Sequence, residues 1–175
     1  MSPSGGPDER LFYSVFPTKV GWIALSGSDS GLRLLILPRP SAGEALRLIL
    51  AASPGAVNDD PGYTRLARRV TGYLSGMEED FSREPVDFRG IPSFRRAVLE
   101  AARAIPRGET RTYRWVAAQT GRPAAARAAG QALGANPVPI IIPCHRVVAA
   151  GGLGGFGGGL ILKRMLLDLE SPDLS

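Results

Sequence analysis

Residues 113–133 read YRWVAAQTGRPAAARAAGQAL, and this stretch decides the architecture of the second half of the chain. It divides at Gly121-Arg122 into two short helical candidates, Tyr113 to Thr120 and Pro123 to Leu133. A short helix, a tight glycine-containing turn and a second helix make a helix-turn-helix pattern. The second helix is mostly alanine and glycine, with Arg127 as its one long cation. Small side chains let a backbone come close to another helix or to a nucleic-acid groove. Helix packing alone accounts for the alanines; the arginine among them favours the nucleic acid.

Upstream, Ser93 is expected to cap a helix with Phe94, Val98, Ala101, Ala102 and Ile105 on one face, a spacing near 3.6 that ends at Pro106-Arg107-Gly108. Downstream, the prolines in Val138-Pro139-Ile140-Ile141-Ile142-Pro143 forbid a central strand. That segment delivers Cys144-His145-Arg146-Val147-Val148. Seven of residues 151–159 are glycine, with Phe156 among them, and an amphipathic helix follows from Leu160 to Leu169. A glycine-rich stretch is either a flexible linker or a loop whose backbone approaches a flat ligand. The embedded Phe156 and the helix after it favour the loop.

The first half reads differently. Phe12 to Phe16, Val20 to Leu25 and Leu32 to Leu37 are apolar runs separated by turn material, which predicts a short antiparallel meander. Ser41, with Glu44 three positions on, predicts a capped helix through about Ala52. A second helix is expected from Pro61 to near Gly76. A short strand is expected at Pro85 to Phe88, and the first ten residues read as loose. The expected domains are 1–88, a small α/β unit, and 89–175, a mostly helical one.

With 44% hydrophobic residues the chain can bury a core. It holds no apolar run of 18 residues, and its start lacks the basic-then-apolar order of a signal peptide. A cytoplasmic or nuclear-compartment soluble protein, with no membrane partner, is the expectation. Residues 1–88 carry 9 basic and 11 acidic side chains, whereas residues 89–175 carry 12 and 5. That asymmetry points to a polyanionic partner for the second half or to a solvated basic face. Cys144 is the only cysteine and His145 the only histidine. No internal disulfide can form, and one Cys with one His falls short of a four-ligand zinc set, so no metal is expected. Taken alone, Cys144 is either a buried apolar residue or a nucleophile.

Across Phe94 to Glu170 the chain resembles the O6-alkylguanine-DNA alkyltransferase family. The resemblance rests on Ile105-Pro106-Arg107-Gly108-Glu109, Thr112-Tyr113, Gly121-Arg122-Pro123, Ala126-Arg127-Ala128, Asn136-Pro137, Pro143-Cys144-His145-Arg146-Val147, the glycine loop, Lys163 and Leu166 to Glu170, in that order. It implies an α/β (α+β) fold with a ribonuclease H-like N-terminal domain and a C-terminal winged helix-turn-helix domain carrying the active site. It implies a methylated-DNA–protein-cysteine S-methyltransferase, a monomer acting on double-stranded DNA without cofactor. The protein would flip O6-alkylguanine, or O4-alkylthymine, out of the duplex and move the alkyl group irreversibly to Cys144.

The same resemblance assigns roles. His145 takes the Cys144 proton through a water and is oriented by Glu170. Tyr113 assists flipping and protonates N3 of the departing guanine. Arg127 enters the base stack, with Ala126, Ala128, Gly130 and Gln131 along the minor groove. Asn136 fixes the turn before the active segment. The base pocket comprises Val147, Phe156, Gly157 and Pro139, with the Cys144 and Val147 carbonyls accepting from the guanine amino group. Phe156 stands where many members have tyrosine, Gly157 where serine is frequent, and the loop is one residue shorter than in several relatives.

Four other readings compete; the first, methyl transfer from a nucleotide-type donor, lacks an early glycine-rich strand-to-helix turn. A lesion sensor on the same scaffold would lack the nucleophile, which Cys144 supplies here. A helix-turn-helix regulator explains the basic half but leaves Pro143-Cys144-His145-Arg146 and the glycine loop without a purpose. A cysteine hydrolase leaves the Arg127 helix without one.

Overall fold

The meander forms as an antiparallel sheet in the order β1 (Phe12–Thr18), β2 (Gly21–Ser28) and β3 (Gly31–Arg39). Its strands run further than their apolar cores. Ser26, Gly27 and Ser28, expected as turn, pair within the sheet across a register shift, which leaves Asp29 and Ser30 as the hairpin turn. The computed structural model describes residues 9–58 and 61–171, so most of the N-terminal stretch read as loose lies outside the described residues.

Alternation along β2 explains why Ile23, Ala24, Leu25 and Ser26 are all buried. Ala24 faces α1 (Ala42–Ala52), packing with Ala45 and Ile49 amid Tyr13, Val15, Trp22, Leu34 and Ile36. Ile23 and Leu25 point the other way, on the face shared with Phe12 and Phe16. There α2 (Pro61–Leu74) buries Tyr63, Leu66, Ala67, Val70, Tyr73 and Leu74, one stripe at helical spacing. A Cβ at Gly27 would lie 2.0 Å from the Tyr63 hydroxyl, so α2 approaches as closely as it does only over a glycine. Each fully buried aliphatic side chain here contributes about 1.5–3 kcal/mol. Ser41 caps α1 as expected, its Oγ accepting from the Glu44 amide at 3.2 Å. The strand expected at Pro85–Phe88 is instead a single parallel bridge between Leu32 and Val86. Arg33 and Arg89 gather around Asp87 beside it, and that ion-paired segment has no second strand residue to extend the ladder.

The chain divides into two compact units, one formed by residues up to Glu79 with Arg83–Gly90, the other by Asp80–Ser82 with Ile91 onward. The second unit is built on α3 (Ser93–Arg103), α4 (Tyr113–Gln119), α5 (Ala126–Gly134) and α6 (Leu160–Glu170). Ser93 is the first helical residue of α3 rather than its cap. Pro92 takes the cap position, with φ −55° and a carbonyl that accepts from Arg96 N. The buried stripe of α3 is Val98, Leu99 and Ala102, followed by Ile105; Phe94 and Ala101 are half-buried. Likewise α5 starts at Ala126 rather than Pro123, because Ala125 N bonds back to Arg122 O and makes a turn of Pro123-Ala124. Ala129, Ala132 and Leu133 pack inward on α5, which lies against α4 and α3. A two-residue parallel pair, β4 (Arg111–Thr112) with β5 (Val147–Val148), joins the start of α4 to the segment after Cys144. It is too short to have shown any periodicity. No described helix is long and apolar enough to cross a membrane.

Candidate active site

The path from α5 to Cys144 is held by one side chain. Asn136 Oδ1 accepts from the Val138 amide at 3.1 Å, folding the chain back on itself as asparagine does in turns. Its Nδ2 donates to the Ile142 carbonyl at 2.9 Å and to Cys144 Sγ at 3.2 Å. Between these anchors Ile142 N returns to Val138 O at 2.9 Å, and Ile140 adopts φ +74°. That conformation is costly for a β-branched residue, about 1–3 kcal/mol, and persists because burial of Val138, Ile140, Ile141 and Ile142 fixes the segment. Cys144 then opens a 3-10 turn, Cys144–Arg146, which carries His145 into the interior.

His145 is fully buried, its Nε2 2.9 Å from Glu170 Oε1 on α6. Glu170 also accepts from Arg146 Nε at 2.8 Å and Nη2 at 2.9 Å, a fork that fixes the carboxylate plane. Arg146 Nη1 reaches the Ile105 carbonyl at 2.6 Å, and Arg107 Nη2 the Leu169 carbonyl at 2.6 Å. The end of α6 is thereby tied to the end of α3. Arg146 acquired no role from sequence reasoning; its place directly after Cys144-His145, facing a lone C-terminal glutamate, was the available signal.

Burial pushes the Cys144 thiol above its ordinary value, against the Asn136 hydrogen bond and the Lys163 ammonium, which both pull it down. Burial pushes His145 below its ordinary value, while Glu170 pulls it back up. The resting site at neutral pH therefore pairs a neutral thiol with a neutral imidazole.

Lys163 is the second residue whose role the sequence did not reveal. It is fully buried, with Nζ 2.6 Å from the Val147 carbonyl and 3.0 Å from that of Gly155. The Gly155 carbonyl also accepts from the Tyr113 hydroxyl at 3.2 Å, and the Lys163 ammonium lies 5.9 Å from the Tyr113 ring centre. Burial lowers the lysine and raises the tyrosine from their ordinary values. Gly154 has φ +70°, and a Cβ there would stand 2.7 Å from the Tyr113 ring and hydroxyl. The ammonium thus latches the glycine loop onto β5 and the phenol ties it to the start of α4, so this loop is shaped rather than a linker. The signal in the sequence was spacing: Lys163 shares a helical face with Leu166 and Glu170.

Asn136 thus meets Cys144, His145 meets Glu170, and Tyr113 and Val147 are bridged by the Gly155 carbonyl and Lys163, with the Cys144–Val147 segment running through all three sets. The α5 residues divide between faces. Arg127, Ala128 and Gln131 are exposed and Ala126 is half-buried, while Gly130 lies under the Tyr113 ring at 3.6 Å from its would-be Cβ. Arg127 has no ion-pair partner among the described residues. Pro139 and Val147 are buried, Phe156 is half-buried and Gly157 is exposed. The Val147 carbonyl, expected to meet a base, already accepts from Lys163, and one lone pair remains. An apolar groove lined by Leu160, Ile161, Met165 and Leu169 lies on α6 and includes none of these residues.

Residues 93–172 match the family model of the 6-O-methylguanine DNA methyltransferase DNA-binding domain. The chain is 38% identical over 161 residues to the methylated-DNA–protein-cysteine methyltransferase of Mycobacterium tuberculosis, covering 91% of this chain and 92% of that one. It is 35% identical to the protein of that name from Methanosarcina barkeri, over 94% of this chain and 99% of the relative. Its fold is similar to the crystal structure of Mycobacterium tuberculosis OGT in complex with DNA, with TM-score 0.73 and 37% identity over 91% of this chain and 92% of that one.

Proposed function

The chain belongs to the methylated-DNA–protein-cysteine methyltransferase family, and from that premise we propose that it repairs alkylated DNA by moving the alkyl group to its own Cys144. The substrate is double-stranded DNA carrying O6-alkylguanine, and O4-alkylthymine by the same chemistry. The protein acts as a cytoplasmic monomer, once per molecule and without a cofactor. Residues 1–88 form a supporting, ribonuclease H-like domain. Residues 89–175 form a winged helix-turn-helix domain that holds the chemistry.

In this reading α5 lies in the minor groove, with Ala126, Ala128 and Gln131 along it and Gly130 beneath Tyr113, and Arg127 fills the space of the extruded nucleotide. The flipped base lies among Val147, Phe156, Gly157 and Pro139. A neutral His145 that donates its Nε2 hydrogen to Glu170 carries its basic lone pair on Nδ1. That lone pair takes the thiol proton across one bridging water. The thiolate attacks the alkyl carbon in line; the C–S bond forms as the C–O6 bond breaks, and the electron pair passes into the purine. Tyr113 protonates N3, so the base leaves neutral, and the thiol's proton makes good the loss. Asn136 holds Sγ throughout.

The observation that carries this reading is the Asn136 amide on Cys144 Sγ beside the buried His145–Glu170 pair. It is tested by the intact mass of the protein after mixing with a short duplex containing O6-methylguanine. One added methyl on the wild type, none on Cys144→Ala, and no further gain with excess duplex is the expected result. Binding without added mass would overturn the transfer chemistry.

A further inference from the structure

Between Glu109 and Asp168 the chain has no acidic residue, yet it carries Arg111, Arg114, Arg122, Arg127, Arg146, Lys163 and Arg164. Some of these charges are met from outside that span: Arg111 pairs with Glu109 and Arg146 with Glu170. Lys163 is buried against carbonyls. The arginines of the helix-turn-helix itself, Arg114, Arg122 and Arg127, enter no ion pair among the described residues. Their counter-charge has to come from a ligand or from salt.

Arg122 differs from the other two in being held. Its amide donates to Ala117 O at 3.1 Å and its carbonyl accepts from Ala125 N at 2.9 Å, so its backbone is pinned on both sides of the turn. Its guanidinium lies over the Phe94 ring of α3, 5.3 Å from the centroid, while the residue as a whole is exposed. Stacking of an exposed guanidinium on a half-buried ring contributes little to stability. It does hold a planar five-donor fork at one place with its edge free, and ordering the fork in advance removes an entropic cost at binding.

We infer that Arg122, seated on Phe94, is a DNA-backbone contact that docks the helix-turn-helix, an inference that rests on the duplex-DNA reading above. Arg122 grips one phosphate at the turn, fixing the register from which α5 enters the groove. Phe94 is a positioning residue that acts through Arg122. The contact carries no sequence information, as suits a protein that must meet its lesion in any context.

The test is duplex affinity as a function of salt for the wild type, Arg122→Ala, Arg122→Lys and Phe94→Leu. Melting temperature and methyl transfer from the free base O6-methylguanine, which has no phosphate, serve as controls. Arg122→Ala is expected to flatten the plot of log K against log salt by about one unit and to weaken binding roughly five- to tenfold at moderate salt. Transfer from the free base stays at the wild-type rate. Arg122→Lys keeps the slope but loses part of the affinity. Phe94→Leu keeps the slope and loses roughly two- to fivefold. Should the alanine variant melt early, Arg122→Gln, which retains the packed stem, gives the same loss of slope. An unchanged slope in a folded Arg122→Ala or Arg122→Gln protein overturns the inference. A wild-type protein without salt-dependent duplex binding overturns the functional reading instead.

Discussion

Asn136 donates one amide hydrogen to Cys144 Sγ at 3.2 Å and the other to the Ile142 carbonyl at 2.9 Å, so one side chain shapes the turn and touches the thiol. The two duties predict a two-part phenotype. In Asn136→Ala the thiol loses a donor that lowers its pKa while its burial is unchanged, so its titration moves further into the alkaline range. Alkylation of the single cysteine by iodoacetamide, followed by intact mass across pH, reads that shift directly. Stability should fall by about 1–3 kcal/mol, because the Ile142 carbonyl and Val138 amide lose their partner. An unshifted thiol titration would separate Asn136 from the chemistry.

His145 predicts an acid-side loss of stability. Burial holds its folded pKa below the ordinary 6.5, so in the window beneath 6.5 the unfolded chain binds a proton that the folded chain refuses. Stability therefore falls as pH drops from 6.5 towards the folded value, by at most about 1.4 kcal/mol per pH unit. As the only histidine, it can be isolated by substitution. Urea midpoints at pH 7 and pH 5.5 should converge in His145→Asn relative to wild type; an equal drop in both would assign the effect elsewhere.

Gly154 predicts a defect in the loop rather than in the thiol. Its φ of +70° and the 2.7 Å separation between a Cβ there and Tyr113 leave Gly154→Ala both strained and sterically blocked. The cost is about 1–3 kcal/mol, and Tyr113 is displaced from the Gly155 carbonyl. Transfer from duplex DNA should slow by tenfold or more, while iodoacetamide still reacts with Cys144 at the wild-type rate. A matched loss in both reactions would mean that the substitution disturbs Cys144 itself.

Lys163→Met tests the latch. Removing the ammonium relieves its desolvation but leaves the buried Val147 carbonyl without its donor and the Gly155 carbonyl with the Tyr113 hydroxyl alone, and the second effect is the larger, at about 1–3 kcal/mol. Loss of the nearby positive charge should also raise the Cys144 titration further. Hydrogen exchange should quicken through residues 151–159 and stay unchanged in β1–β3. Uniform quickening would contradict a local latch.

Methylated Cys144 should make a less stable protein. The residue is 8% exposed, with its sulfur already in contact with Asn136, so an added methyl must displace packed atoms. Overpacking of this kind costs about 1–3 kcal/mol, which lowers Tm by several degrees. Calorimetry before and after reaction checks this; an unchanged or raised Tm would mean the site has room to spare.

Much of the fold was legible because it is written locally. The apolar runs within Phe12–Leu37 and the turn residues between them, the Ser41 cap, the Pro61 start of α2 and the glycine turn between α4 and α5 each lie within a few residues, where sterics and capping act directly. Ser26-Gly27-Ser28 joined a strand because β3, beyond the reach of local reading, offered partners. Pro123-Ala124 became a turn through a local bond, Ala125 N to Arg122 O, that the helix-forming composition of the segment masked.

By itself the sequence determined the two kinds of structure in the two halves, the acid-free basic stretch, and the adjacency of the one cysteine and one histidine. Tertiary structure decided which distant groups those two residues would meet. Glu170 reaches His145 across 25 positions, and Lys163 turns inward to carbonyls 16 and 8 positions away. A lysine on a helix is ordinarily solvated, and only backbone carbonyls assembled by β5 and the glycine loop offset the cost of burying this one. The helical spacing of Lys163 with Leu166 and Glu170 marks the face that turns inward, but the carbonyls that make its burial tolerable are brought there only by chain closure.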